Sequence, residues 1–136
     1  MGKLIYEEES YAILGACMQV HKTLGAGFLE SVYQEALSRE FINRNVPFRS
    51  QEKLEVFYED QKLKKFFKAD FICYEHIVVE LKATALLAES MIAQTINYLK
   101  ASRFELGLLI NFGAKSLTWK RLINTPAICD NPDKSV

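Results

Sequence analysis

Apolar positions recur at helical spacing through the first third of the chain and then at a spacing of two. Glu8 to Leu24 predicts a helix, with Ser10 as N-cap and Tyr11, Leu14, Cys17, Met18, His21 and Leu24 as its apolar stripe. Gly25-Ala26-Gly27 ends it, with Gly25 suited to the left-handed position after the last turn. A second helix is expected from Phe28 to about Asn43, burying Phe28, Leu29, Val32, Tyr33, Ala36, Leu37 and Phe41, and Asn45-Val46-Pro47 stops it. The period then changes. Leu54, Val56 and Tyr58 alternate with Lys53, Glu55 and Phe57, and Glu59-Asp60-Gln61 is a turn. In the next strand Lys68, Asp70, Ile72 and Tyr74 share one face, and Phe67, Ala69, Phe71 and Cys73 the other. After a turn at Tyr74-Glu75-His76, Ile77, Val79, Leu81 and Ala83 alternate with Val78, Glu80 and Lys82. Three consecutive antiparallel strands make a meander. A third helix, Ala88 to Ser102, carries Ile92, Ile96 and Leu99 on one stripe, extended by Met91 and Thr95. Glu105 to Phe112 suits a strand buried on both faces. Gly113-Ala114-Lys115 is a turn, and Leu117 to Ile123 is a last strand, with Leu117, Trp119 and Arg121 opposite in facing to Thr118, Lys120 and Leu122. Residues 124–136 read as a loose tail.

At 136 residues, with 49% hydrophobic and 25% charged residues, one domain over 1–136 with an ordered core of about 8–123 is expected. Seventeen Lys and Arg balance seventeen Asp and Glu, so any nucleic-acid binding must rest on a local patch. Cys17, Cys73 and Cys129 are far apart and read as reduced thiols in a cytoplasmic protein. Two histidines, His21 and His76, leave no His-rich metal site. His21 sits on the first helix's stripe and reads as a partly buried, hydrogen-bonded side chain or, less readily, as a neighbour of an active site. The first ten residues carry no signal-peptide pattern, and no apolar run approaches membrane-spanning length. Gly25 and Gly27 follow a helix, so they make no dinucleotide fingerprint.

The hairpin Lys62–Ala83 carries the chemistry. Asp70 and Glu80 are equidistant from Glu75, so a turn centred there sets the two carboxylates opposite each other, an arrangement that disfavours a plain sheet. Lys82 projects from the same face as Glu80. Two carboxylates and a lysine suit a hard divalent cation and a phosphodiester. The competing reading is a solvated face on which Asp70 pairs with Lys82 and Glu80 with Lys68. Glu30, in the first turn of the second helix, either complements the helix dipole or points inwards at a metal. Lys62, Lys64 and Lys68 share the parity of Asp70. They would grip phosphates by position, or simply guard a strand edge. Gln94 and Tyr98 are i and i+4 on one side of the third helix.

From the second helix onwards this order is similar to the αβββαβ core of the PD-(D/E)xK nuclease superfamily, preceded here by an extra N-terminal helix. Asp70 and the E-x-K run Glu80-Leu81-Lys82 match its motif, Glu30 the acidic residue of its leading helix, and Gln94 and Tyr98 the Q-x-x-x-Y signature of RecB-like members. Gly27, Glu30 and Tyr33 form G-x-x-E-x-x-Y. With VHKTLGAGFLESVYQEAL, VELKA, AQTINYLK and LGLLINFG, they make residues 8–123 resemble the small "GxxExxY" proteins. Ala69 stands where the superfamily's proline would be; it supplies no ligand.

The resemblance implies a restriction-endonuclease-like α/β (α+β) fold with a central mixed sheet flanked by helices. It implies Mg2+ or Mn2+ held by Glu30, Asp70, Glu80 and the Leu81 carbonyl, Lys82 as catalytic lysine, and Gln94, Tyr98 and Lys68 positioning substrate. The expected activity is hydrolysis of DNA phosphodiesters, with RNA or another phosphate ester not excluded. The alternative is a non-catalytic nucleic-acid-binding or protein-interaction module on the same fold. A homodimer or protein partner is an open expectation for so small a core, and no membrane partner is expected.

Overall fold

The computed structural model describes residues 5–124. Helices α1 (Glu7–Leu24) and α2 (Glu30–Asn43) precede strands β1 (Phe48–Tyr58), β2 (Gln61–Cys73) and β3 (Ile77–Lys82). Helix α3 (Glu89–Ser102) and strands β4 (Leu106–Asn111) and β5 (Thr118–Ile123) follow. The sheet order is β1-β2-β3-β4-β5. Only β3 and β4 run parallel, and α3 makes the crossover that a parallel pair requires.

The turns follow from backbone conformation. Glu59 and Asp60 have φ of 49° and 68°, the left-handed pair that closes a two-residue hairpin between Tyr58 and Gln61. Tyr74 and Glu75, at 55° and 64°, turn the chain again, closed by the His76 N–H donating to the Cys73 carbonyl at 3.1 Å. That turn sets Cys73 against Ile77 and Phe71 against Val79, the register expected from a turn centred on Glu75.

The sheet separates two cores. Under α1 and α2 lie Phe71, Cys73, Ile77, Val79, Leu81, Leu106, Leu108 and Ile110; under α3 lie Leu54, Ala69, Ile72, Val78, Leu109 and Leu122. β4 is buried along its whole length, as its unbroken apolar run requires. Cys17 and Cys73 are both buried and free, and Cys129 lies outside the described residues.

Several expectations need correction. Ser10 is not the cap of α1. The helix starts at Glu7, and buried Ser10 accepts a 2.8 Å hydrogen bond from Arg121 of β5. The buried face of α1 is Ile13, Ala16, Cys17, Val20 and His21, whereas Tyr11 is 82% exposed and Met18 about half exposed. The helix turns its small and β-branched side chains to the core, where they pack close. In α2, Tyr33, Leu37 and Phe41 are buried at a strict i, i+4, i+8 spacing; Phe28 and Leu29 precede the helix and, with Val32, are exposed. The residue after β5 is not loose. Asn124 is buried, and its side-chain amide donates to the Leu99 and Phe104 carbonyls, joining α3 to the end of the sheet. The rest of the expected tail lies outside the described residues.

The alternation along β2 also changes phase. Phe67 and Ala69 pack on the α3 side, but so does Ile72, while Phe71 and Cys73 pack on the other. Asp70 is where the strand slips. Ile72 therefore does not share a face with Lys68. The cause is visible across the ladder: Gln51, between the pairs Ser50–Phe71 and Glu52–Ala69, takes a left-handed φ of 53° opposite Asp70.

Candidate active site

The site forms where β2 leaves β3. Pairing between them ends at Phe71–Val79. Beyond that point the Leu81 N–H finds the Asp70 carboxylate instead of a strand carbonyl, donating to Oδ2 at 2.8 Å. The Leu81 carbonyl leaves the strand on the same side as its N–H. The Asp70 carbonyl, freed from the ladder, accepts from Gln34 of α2 at 3.2 Å. Gln51 donates to Gln34 Oε1 at 2.7 Å and reaches Asp70 Oδ1 at 3.5 Å. Gln34 and Gln51 thus fix Asp70, and neither was singled out from the pattern. Gln34 follows the tyrosine of G-x-x-E-x-x-Y; nothing local marks Gln51.

Glu80 lies beside Asp70. Burial, then repulsion from the Asp70 carboxylate, pushes its carboxyl up to about 8, against the opposing pull of Lys82. Its Oε2 is buried without a hydrogen-bond partner. Burial likewise raises Asp70, against the Leu81 N–H, Gln51 and Lys82. Both carboxylates are half-buried rather than on an open solvated face, and neither forms an ion pair with Lys82 or Lys68. Glu30, exposed at the first position of α2, adds to the negative field felt by Glu80.

The G-x-x-E-x-x-Y motif has a structural account. Gly25 and Gly27 take φ of 73° and 112°, open to glycine and strained for other residues. The Tyr33 hydroxyl donates to the Gly25 carbonyl at 2.5 Å and accepts the Phe28 N–H at 3.3 Å, lashing this loop to the helix that starts at Glu30. The Tyr33 ring stacks on Phe112 at 4.7 Å, and the Phe112 N–H donates to the Lys82 carbonyl at 2.8 Å. One aromatic contact therefore ties the Glu30 loop to the end of the strand bearing Lys82.

That end is clamped from the other side too. Buried Asn111 accepts the Thr84 and Gly113 N–H groups at 2.9 and 3.0 Å and donates to the Thr84 carbonyl at 2.9 Å. A Cβ on Gly113 would come within 2.3 Å of the Thr84 nitrogen, so only glycine lets the chain pass. His21 takes its blander role: its Nε2 is 3.0 Å from the Ala114 carbonyl.

The remaining candidates stand further off. Tyr98 stacks on Phe67 at 3.9 Å and Gln94 is exposed on α3; among the described residues neither hydrogen-bonds to Asp70, Glu80 or Lys82. Lys68 is exposed on β2 opposite Lys53. Among the described residues, no three His, Cys, Asp or Glu side chains are drawn together as a ready metal cage. The donors still fit a hard cation: two half-buried carboxylates, one buried oxygen without a partner, a carbonyl facing the same gap and, among the described residues, no soft ligand beside them.

The five-stranded mixed sheet with three helices is a restriction-endonuclease-like α+β fold, with its acidic pair at the parting of two strands. The model of the PD-(D/E)XK nuclease superfamily matches residues 7–122, and the chain belongs to that superfamily. No curated protein and no solved structure gives a significant match. Among the described residues no helix is long and apolar enough to cross a membrane.

Proposed function

We propose that this chain is a Mg2+- or Mn2+-dependent nuclease that hydrolyses DNA phosphodiesters. The observation that carries the reading is the half-buried Asp70–Glu80 pair, with one buried Glu80 oxygen left without a partner and Lys82 alongside. Asp70, Glu80, the Leu81 carbonyl and Glu30 would hold the cation. A divalent cation held there supplies an activated water and neutralises charge on the phosphate. Lys82 orients that water and stabilises charge on the scissile phosphate. Gln34 and Gln51 keep Asp70 in place for this work. Gln94, Tyr98 and Lys68 face the substrate on either side. The resemblance to the "GxxExxY" proteins through Gly27, Glu30 and Tyr33 agrees with this assignment.

Titration calorimetry with Mn2+ and Mg2+ tests the cation, with Asp70→Ala as control. The expected result is binding by the native chain and none by the variant. In a cleavage assay on single-stranded, duplex and branched DNA, and on RNA, Lys82→Ala is expected to abolish turnover while its melting temperature stays near native. Cleavage retained in Lys82→Ala overturns the assignment. One observation favours a second reading, a binding module without turnover: among the described residues the acidic side chains do not form a ready cage. Titration repeated with a short, uncleavable DNA separates the two. Cation binding that appears only with DNA supports a site completed by the substrate phosphate; none in either case supports the module.

A further inference from the structure

The same parting of strands that turns the Leu81 N–H to the Asp70 carboxylate leaves a second feature unpartnered. β2 pairs with β1 back to Gln61, but with β3 only at Phe71, Ile72 and Cys73. The stretch 61–69 therefore has β1 on one side and, among the described residues, no strand on the other. α3 covers one face of this arm, through the Phe67–Tyr98 stack and the burial of Leu54 and Ala69. The other face carries Lys53, Phe66 and Lys68, with Lys68 two residues before Asp70.

The charge on this arm is lopsided. Between Gln61 and Ala69, Lys62, Lys64, Lys65 and Lys68 are exposed and there is no acidic residue. Only Lys62 is neutralised, by Glu55 at 3.4 Å; among the described residues no carboxylate lies within ion-pairing distance of Lys53, Lys64, Lys65 or Lys68. Lys53 and Lys68 are direct cross-strand partners, a like-charge pairing that disfavours the sheet. Phe66 is no bare stacking platform, because Lys53 lies over its ring at 4.3 Å.

The geometry points to this arm as a duplex-DNA backbone clamp beside the active site. It rests on the nuclease reading for its location and adds the form of the substrate. Unpaired lysines contact phosphates without reading bases, whereas single-strand binding calls for exposed aromatic platforms, and both rings of 61–69 are engaged, Phe67 against Tyr98 and the half-exposed Phe66 under Lys53. Because β2 bulges between Lys62 and Phe66, 61–69 runs only the length of Glu52–Tyr58 of β1, about 20 Å at about 3.3 Å per step, or about six base pairs.

The test is fluorescence anisotropy of a labelled 24-base-pair duplex and its single strand, in EDTA so that nothing is cut, across 50 to 200 mM salt. The chain is compared with the triple variant Lys64→Gln, Lys65→Gln, Lys68→Gln and with the matching triple Lys→Arg variant. Loss of three phosphate contacts lowers the slope of log affinity against log salt by about 2.7, and arginine restores it. The duplex is expected to bind more tightly than the single strand. An unchanged slope in the glutamine variant overturns the clamp, as does tighter binding of the single strand. If the glutamine variant self-associates with its DNA affinity intact, the lysines only guard a strand edge. Cleavage separates this from the parent reading. No turnover on any substrate, with lysine-dependent binding intact, removes the nuclease and keeps the clamp. Turnover with an unchanged salt slope does the reverse.

Discussion

Glu80 shows how a single carboxyl can work against the fold that holds it. Its ordinary value is 4.5, and burial with the nearby Asp70 charge carries it to about 8. The folded state thus favours the protonated form. Its contribution is fully present below about 4.5 and is lost as pH rises through about 8. Metal-free protein is therefore expected to melt at lower temperature at pH 8.5 than at pH 5.5 through this group, and Glu80→Gln to flatten that difference in a calorimetric pH series. Bound Mn2+ is expected to reverse it by favouring the ionised form. The two described thiols tell a related story. Burial raises Cys73 to about 12 and Cys17 further still. In a Cys129→Ser background both are expected to resist a thiol reagent until the chain unfolds.

Elements explain why that carboxyl is where it is. β3 is held at its far end by Asn111 and by the close passage of Gly113. Asn111→Ala leaves the part-buried Thr84 N–H and carbonyl and the Gly113 N–H without partners, a loss of about 1–3 kcal/mol in all. Denaturant melts should show that loss, and cleavage should fall with it because Lys82 loses its anchor. The element scale also marks what the pattern could reveal. The register of the β2–β3 hairpin was legible because turn chemistry sets register, and the Tyr74–Glu75 turn came where symmetry about Glu75 placed it; a ladder pair of Asp70 with Glu80 did not follow, because the strands part after Phe71–Val79. The face of α1 was not legible, since apolar residues lie on most sides of that helix and Tyr11 and Met18 outweigh Ala16 in any hydropathy reading. Strict alternation failed at Asp70 because a left-handed Gln51 on the neighbouring strand shifts the phase. Gln34 and Gln51 acquire meaning only once α2, β1 and β2 meet.

At the scale of the molecule, zero net charge hides a division of labour. Four lysines without an acid line one stretch of β2, while the acidic pair sits at its inner end. The two cores share one sheet, so thermal unfolding is expected as a single calorimetric transition rather than two. Helix α2 spans this division. It presents Glu30 from its first residue and, one turn on, sends Gln34 to the Asp70 backbone. Glu30 and the Asp70 backbone are therefore not independent parts. A rigid-body tilt of α2 about its buried Tyr33–Leu37–Phe41 ridge would move both together, making the helix a single lever on the spacing of the carboxylates.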